Sequence, residues 1–262
     1  MTYFGFLLRF VFLPILLLSA ITCWDERRSK ALPGFQKGQV WRSVLVHVIL
    51  AVLYTTPWDN YLVATGVWSY NPRLVTGLVF GWVPIEEYTF FVVETVLCSL
   101  CWLMVARRTP LLDGFKPNKK LVMIAAAMLA ALWVFFAFLF FAGPQSANYL
   151  SITMFWALPA IFPQILFGAD ILWHFRNLLF WAIVPTSLYL SLTDIVALKA
   201  TTWAISPTHT TGVLFLGILP VEEVLFFFVT SSLIIFGLTL MLSNLSQKRF
   251  SIWRSTGFKG LP

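Results

Sequence analysis

The stretch 82-WVPIEEYTFFVVETVL-97 sets a proline and two adjacent glutamates in a run that is otherwise apolar, and 218-ILPVEEVLFFFVTSSLI-234 repeats the arrangement near the other end of the chain. The likeness extends upstream, where residues 54–91 align with residues 189–228. Tyr54, Asp59, Trp68, Pro72, Thr76 and Gly77 correspond to Tyr189, Asp194, Trp203, Pro207, Thr211 and Gly212. After one extra residue in the second copy, Gly81, Pro84, Glu86, Glu87, Phe90 and Phe91 correspond to Gly217, Pro220, Glu222, Glu223, Phe226 and Phe227. Trp, Pro, Asp and Glu do not recur in register because two segments are both greasy. The chain reads as a duplication.

Composition says where the duplicated unit lives. Of 262 residues, 59% are hydrophobic and only 11% charged, with a mean hydropathy of +0.83. That leaves too little polar surface for a soluble protein and defines an all-α integral membrane protein. A bilayer core of about 30 Å asks for roughly 20 apolar residues per helix. Seven runs answer it: 4–24, 41–56, 77–105, 121–142, 149–169, 176–193 and 213–243. The fourth carries no charge, and the third and seventh are long enough to tilt or kink. The positive charge that flanks the first run follows it, so an uncleaved helix is expected there instead of a signal peptide.

Arg27, Arg28, Lys30, Lys37 and Arg42 follow the first run, and Arg107, Arg108, Lys116, Lys119 and Lys120 the third. Arg176 lies between the fifth and sixth; Lys248, Arg249, Arg254 and Lys259 form the tail. Seven spans put these 15 of the 18 basic residues on one side. The positive-inside rule then places the N-terminus outside and the C-terminus in the cytoplasm, and the cell's inner membrane is the expected location. The net charge of +7 follows from this topology and from contact with anionic lipid, so no nucleic-acid partner is expected.

A three-helix unit repeated directly would insert upside down, and the charge-free fourth helix restores its direction. The expected architecture is therefore two parallel three-helix repeats joined by a linker helix. Residues 1–110 form the first repeat, 111–145 the linker, 146–245 the second repeat and 246–262 a basic cytoplasmic tail.

Carboxylates in such a setting need a reason. Burying one charge at mid-bilayer costs about 2.5–3.5 kcal/mol on insertion scales. Two neighbours cannot easily both be ionised, so one of each pair is expected to carry a proton and to be a donor in search of a base. Counted from the start of each apolar run, both pairs lie about ten residues in, near mid-membrane. Pro84 and Pro220 are expected to kink their helices, with Gly81 and Gly217 permitting close approach beside the kink and freed backbone groups holding one glutamate of each pair. Glu86, Glu87, Glu222 and Glu223 are the catalytic candidates. Phe90, Phe91, Phe226 and Phe227 sit a turn away and offer ring faces to a cation. Asp59 and Asp194 are expected in outer loops beside Trp68 and Trp203, either as loop caps and interfacial anchors or at a cavity mouth. Glu94 has Thr230 in its matching place and is equally well a structural residue.

Other chemistry is excluded by what the motifs lack. His47, His174 and His209 are scattered, so no metal site is read. Cys98 and Cys101 form a CxxC without a second pair or a nearby histidine, which favours packing. The last span has no lysine to hold retinal, no arginine follows the glutamates as in the glutamate-type CAAX proteases, and neither aspartate-rich diphosphate motifs nor a nucleotide-binding loop occurs. A proton-coupled transporter or channel would also use intramembrane glutamates. That reading stays open as the alternative, with the mostly apolar residues below the glutamates, FFVVETVLCSLCWLMVA and FFFVTSSLIIFGLTLML, arguing against it.

The two Pro-x-Glu-Glu helices, with 56-TPWDNYLVATGVWSY-70 and 203-WAISPTHTTGVLFLGILPVEE-223, resemble the membrane-integral lycopene cyclases over nearly the whole chain. In that family the two halves occur as separate small subunits or, as this chain resembles, fused; fungal versions continue into a phytoene synthase, and no such half is expected here. The resemblance implies acid-catalysed cyclisation of the end groups of lycopene or a related linear carotene, most simply to β-rings. It implies no organic cofactor, a substrate dissolved in the bilayer among membrane lipids, and other carotenoid enzymes as neighbours.

Overall fold

The computed structural model describes residues 1–110 and 114–256, so the expected repeat boundary at 110/111 and the last tail residues, Lys259 among them, lie at or outside its limits. Seven helices are long and apolar enough to cross a membrane. They are α1 (Tyr3–Arg27), α2 (Val40–Ala64), α3 (Ile85–Ala106), α4 (Lys119–Ala142), α5 (Asn148–His174), α6 (Arg176–Lys199) and α7 (Val221–Leu242). A shorter α8 (Asn244–Thr256) occupies the region expected as a basic tail. Within α1, residues Leu8–Phe12 form a π-helical turn just ahead of Pro14, whose missing N–H breaks the regular bonding there.

Six short strands lie in the connections at one end of the bundle. β1 (Trp68–Tyr70) pairs antiparallel with β4 (Trp203–Ile205), β2 (Val79–Phe80) with β3 (Val83–Pro84), and β5 (Leu214–Phe215) with β6 (Leu219–Pro220). In the first pair the partners are Trp68 with Ile205, Ser69 with Ala204 and Tyr70 with Trp203. Ser69 and Ala204 hold corresponding places in the duplicated sequence and also face each other, so a local two-fold axis passes between them. The same relation recurs inside the membrane, where Glu94 accepts a hydrogen bond of 2.9 Å from Thr230, its matching position.

The strands correct the sequence expectation for the glutamate helices. The apolar residues before each Pro-x-Glu-Glu fold back as hairpins, and the helices begin only at Ile85 and Val221. Pro84 and Pro220 are therefore not kinks but the residues on which α3 and α7 start. A proline disfavours helix in the residue before it and has no N–H to leave unpaired at a helix start, so both effects place the boundary there. Gly81 and Gly217 do not relieve a kink either. They turn the hairpins with φ of +69° and +71°, and at Gly81 a Cβ would meet Asn60 Oδ1 at 2.1 Å. The glutamates stand in the first turn of their helices, not ten residues inside, where a helix N-terminus favours negative charge. Asp59 and Asp194 are likewise not in loops: α2 runs on through Pro57 to Ala64, α6 runs to Lys199, and each helix buries its aspartate. His174 ends α5 and is not in a loop.

At the opposite end of the bundle, arginines tie the helices together. Arg107 donates to Glu26 at 2.9 Å and to the Thr22 carbonyl at 3.0 Å, and Arg108 reaches Asp25 at 2.8 Å. Arg249 of α8 grips Asp170 of α5 with both nitrogens, at 2.8 and 2.7 Å. α4 buries only Val122 and Ala126 and packs chiefly on α5, as a peripheral helix would.

α2 and α7 approach each other closely at Gly237. A Cβ there would lie 2.1 Å from His47 Nε2, and the buried ring is pinned by a 2.7 Å bond between Nδ1 and the Ser43 carbonyl. Overpacking costs about 1–3 kcal/mol, against a helix-preference gain of about 1 kcal/mol for Gly→Ala. Gly237→Ala is expected to lower stability in detergent by up to about 2 kcal/mol by these two terms, and adding His47→Ala should recover part of the loss in the same thermal unfolding measurement.

Candidate active site

The first glutamate of each pair is used by the chain itself. Glu86 Oε1 accepts the Thr76 backbone N–H at 2.6 Å, and Glu222 Oε1 accepts that of Thr211 at 2.6 Å. Each bond closes the loop carrying the hairpin onto the start of the glutamate helix. A backbone group does hold one glutamate of each pair, but it comes from the preceding loop and not from a kink.

The second glutamate of each pair turns inward to meet phenols. Glu87 Oε2 accepts Tyr3 Oη at 2.5 Å and Tyr70 Oη at 2.9 Å. Glu223 Oε2 accepts the hydroxyl of Tyr149 in a short bond. Tyr3 and Tyr149 stand at the starts of α1 and α5, so each of these helices delivers a donor to its own half's glutamate. Tyr70 has no counterpart, because Ile205 occupies the matching place. Tyr70 itself is partly buried with its hydroxyl inside; burial first, then the carboxyls of Asp59 and Glu87, push the phenol well above its ordinary value, so it remains a donor.

Glu87 and Glu223 line the same small cavity, of about 20 Å³, together with Asp194 and a wall of rings that includes Phe90, Phe226 and Phe227. Trp68 and Trp203 also border it, and Trp203 Nε1 donates to Asp194 Oδ1 at 2.9 Å. Phe226 lies flat against Trp58, with ring centroids 5.2 Å apart and planes 7° apart. Of the sequence candidates, Glu86 and Glu222 do not reach this cavity, and Phe91 faces a neighbouring groove. Asp59 is fully buried nearby in α2, with neither carboxyl oxygen hydrogen-bonded among the described residues. An unpaired buried carboxyl is costly, but Asp59 is not among the residues lining the cavity. Among the described residues no three His, Cys, Asp or Glu side chains are placed to hold a metal ion.

Sequence reasoning missed the three tyrosines. The available signal was chemical: a tyrosine buried in an apolar run normally finds a partner for its hydroxyl, and the glutamates were the groups in need of donors.

Glu87 and Glu223, one from each half of the duplication, thus line one small ring-walled cavity inside a protein with seven membrane-length helices. Comparison with known proteins shows the family. The chain is 34% identical over 241 residues to the lycopene beta-cyclase of Halobacterium salinarum, covering 91% of this chain and 95% of that one. It is 32% identical over 209 residues to the bifunctional lycopene cyclase/phytoene synthase of Gibberella fujikuroi, where the match spans 76% of this chain and 34% of the relative. The corresponding protein of Aspergillus oryzae is 30% identical over 201 residues, with the same coverage of 76% and 34%. No protein-family model and no solved structure matches the chain. The chain belongs to the lycopene cyclase family.

Proposed function

We propose that the protein is a lycopene cyclase that closes the end groups of a linear carotene into rings, most simply β-rings, by acid catalysis without a cofactor. The observation that carries this reading is the convergence of Glu87 and Glu223 on one buried cavity walled by aromatic rings. One carboxylic acid gives its proton to the terminal double bond of the end group, leaving a tertiary cation. The neighbouring double bond attacks that cation, a carbon–carbon bond closes the six-membered ring, and positive charge moves to a ring carbon. A carboxylate takes a proton from the adjacent carbon, and a ring double bond forms. No electron is gained or lost, and the proton taken up equals the proton released.

Each element of the site suits a step. The absence of room for bulk water protects the cation from capture. Phe90, Phe226 and Phe227 present ring faces that stabilise positive charge. The tyrosine hydroxyls fix the two carboxyls in place, so that their free oxygens face the cavity. Glu86 and Glu222 shape the site by holding the hairpins. We further infer that residues 1–110 and 146–245 act as two parallel repeats around this cavity, with 111–145 as linker, and that the basic end of the bundle faces the cytoplasm of the cell membrane.

Expression in bacteria that accumulate lycopene tests the reading. A cyclic carotene, identified by chromatography and its absorption spectrum, is the expected product, with β-carotene as the end point. Unchanged lycopene beside well-folded protein in the membrane would exclude it.

A further inference from the structure

The cavity between the glutamates is too small for its task. At about 20 Å³ it has room for roughly one water molecule, whereas the end group of a carotene must form a methylated six-membered ring with a conjugated chain attached. The reacting end must displace part of the wall, and the chain must lie elsewhere.

A groove of about 220 Å³ lies directly beyond that wall. Its sides come from α2, α3, α5 and α7, with Glu94 of α3 and Thr230 of α7 among the lining residues, and Phe226, itself almost fully buried, borders both the groove and the glutamate cavity. Leu50 and Tyr54 stand at its rim, 55% and 40% exposed on a surface that faces hydrocarbon in a membrane. From this rim a ladder of flat rings leads inward. Along the groove Tyr54 stacks on Trp156 at 5.6 Å and Trp156 on Phe226 at 6.5 Å, while Trp58 backs both Trp156 and Phe226 from behind at 4.6 and 5.2 Å. A rigid, flat, apolar molecule that enters sideways from the bilayer would find packing surface along the whole route. A second apolar groove, of about 340 Å³ between α4 and α5, shares no lining residue with the glutamate cavity.

We propose that the groove between α2, α3, α5 and α7 holds the polyene chain of the substrate, and that the Phe226 ring is the movable wall past which the end group reaches Glu87 and Glu223. This rests on the cyclase reading for the identity of the ligand, but not for the location of the site. Ala51 and Ala160 line the groove from α2 and α5, so a larger side chain at either fills it from a different helix.

The test uses the full chain carrying Glu87→Gln and Glu223→Gln, reconstituted in lipid nanodiscs with lycopene, so that bound pigment is not consumed. Bound carotene is read from its absorption and from the induced circular dichroism of a polyene held in a chiral site. Ala51→Phe and Ala160→Phe, each checked for unchanged thermal unfolding, are expected to cut bound lycopene at least about tenfold, the loss that corresponds to roughly 1.4 kcal/mol. Ala51→Leu, a smaller filler, should give an intermediate loss. Ala130→Phe in the α4–α5 groove should change nothing. Wild-type binding in both filled variants, equal loss in Ala130→Phe, or no bound lycopene before any groove is filled would each overturn the proposal. The cyclase reading is judged separately, by whether the unsubstituted chain makes cyclic product. Groove-dependent binding without cyclic product would leave the groove assignment standing and remove the reaction.

Discussion

Glu87→Gln and Glu223→Gln are each expected to lower ring formation by on the order of 10²–10⁴-fold, the usual contribution of a positioned acid or base, with protein level and lycopene binding preserved. Glutamine keeps the shape of glutamate, and its carbonyl can still accept the hydroxyls of Tyr3, Tyr70 or Tyr149. What it loses is the ability to donate an acidic proton or to collect one. Glu86→Gln and Glu222→Gln should behave differently, because the amide carbonyl can still accept the Thr76 or Thr211 N–H at the hairpin. Their turnover is expected to fall no more than about tenfold, a loss of roughly 1.4 kcal/mol in transition-state stabilisation. Pigment analysis in lycopene-accumulating cells, normalised to membrane protein, separates the two groups. If the Glu86 and Glu222 variants were the dead ones and the Glu87 and Glu223 variants active, the cavity would not be the site of chemistry.

The second large effect lies far from that cavity. Asp170→Ala is expected to lower stability by about 3–5 kcal/mol, the cost typical of leaving half of a buried pair behind. The Asp170 and Arg249 side chains are 3% and 11% exposed and meet through two parallel bonds. The same carboxylate accepts the Asn118 N–H at 3.0 Å, so its removal also frees the start of α4. Arg249 would keep its bond to the Phe167 carbonyl but no balancing charge. Thermal unfolding in detergent reads the loss, and Asp170→Ala combined with Arg249→Met should restore part of it by removing the stranded guanidinium. An unchanged midpoint for the single variant would mean that α8 does not clamp the bundle.

Hydropathy and length were enough to show seven spans, because a bilayer imposes one length on every apolar helix. The starts of α3 and α7 were not legible, because hydropathy does not distinguish an apolar helix from an apolar hairpin. Residues 77–84 and 213–220 are as greasy as the helices they precede, and only the proline marks the change. Asp59 was misplaced for a related reason: Pro57 reads as a helix end, yet a membrane helix can continue through proline where its neighbours satisfy the backbone. Duplication made the glutamates conspicuous, but it could not show which of each pair faces inward. That depends on the first-turn geometry and on Thr76 and Thr211 capturing Glu86 and Glu222. Tyr3 meets Glu87 across 84 residues of chain, and no local pattern carries that distance.

The cavity has one further consequence. A linear carotene is identical at its two ends, whereas Glu87 meets two phenols and Glu223 one, and both carboxyls share a single small space. At the proposed site only one end is processed at a time, so a product with two rings would require the molecule to withdraw, reverse and return. The ratio of singly to doubly closed product is then a competition between recapture and escape. It is set by how fast the half-finished molecule diffuses away in the plane of the bilayer as much as by the rate of ring closure.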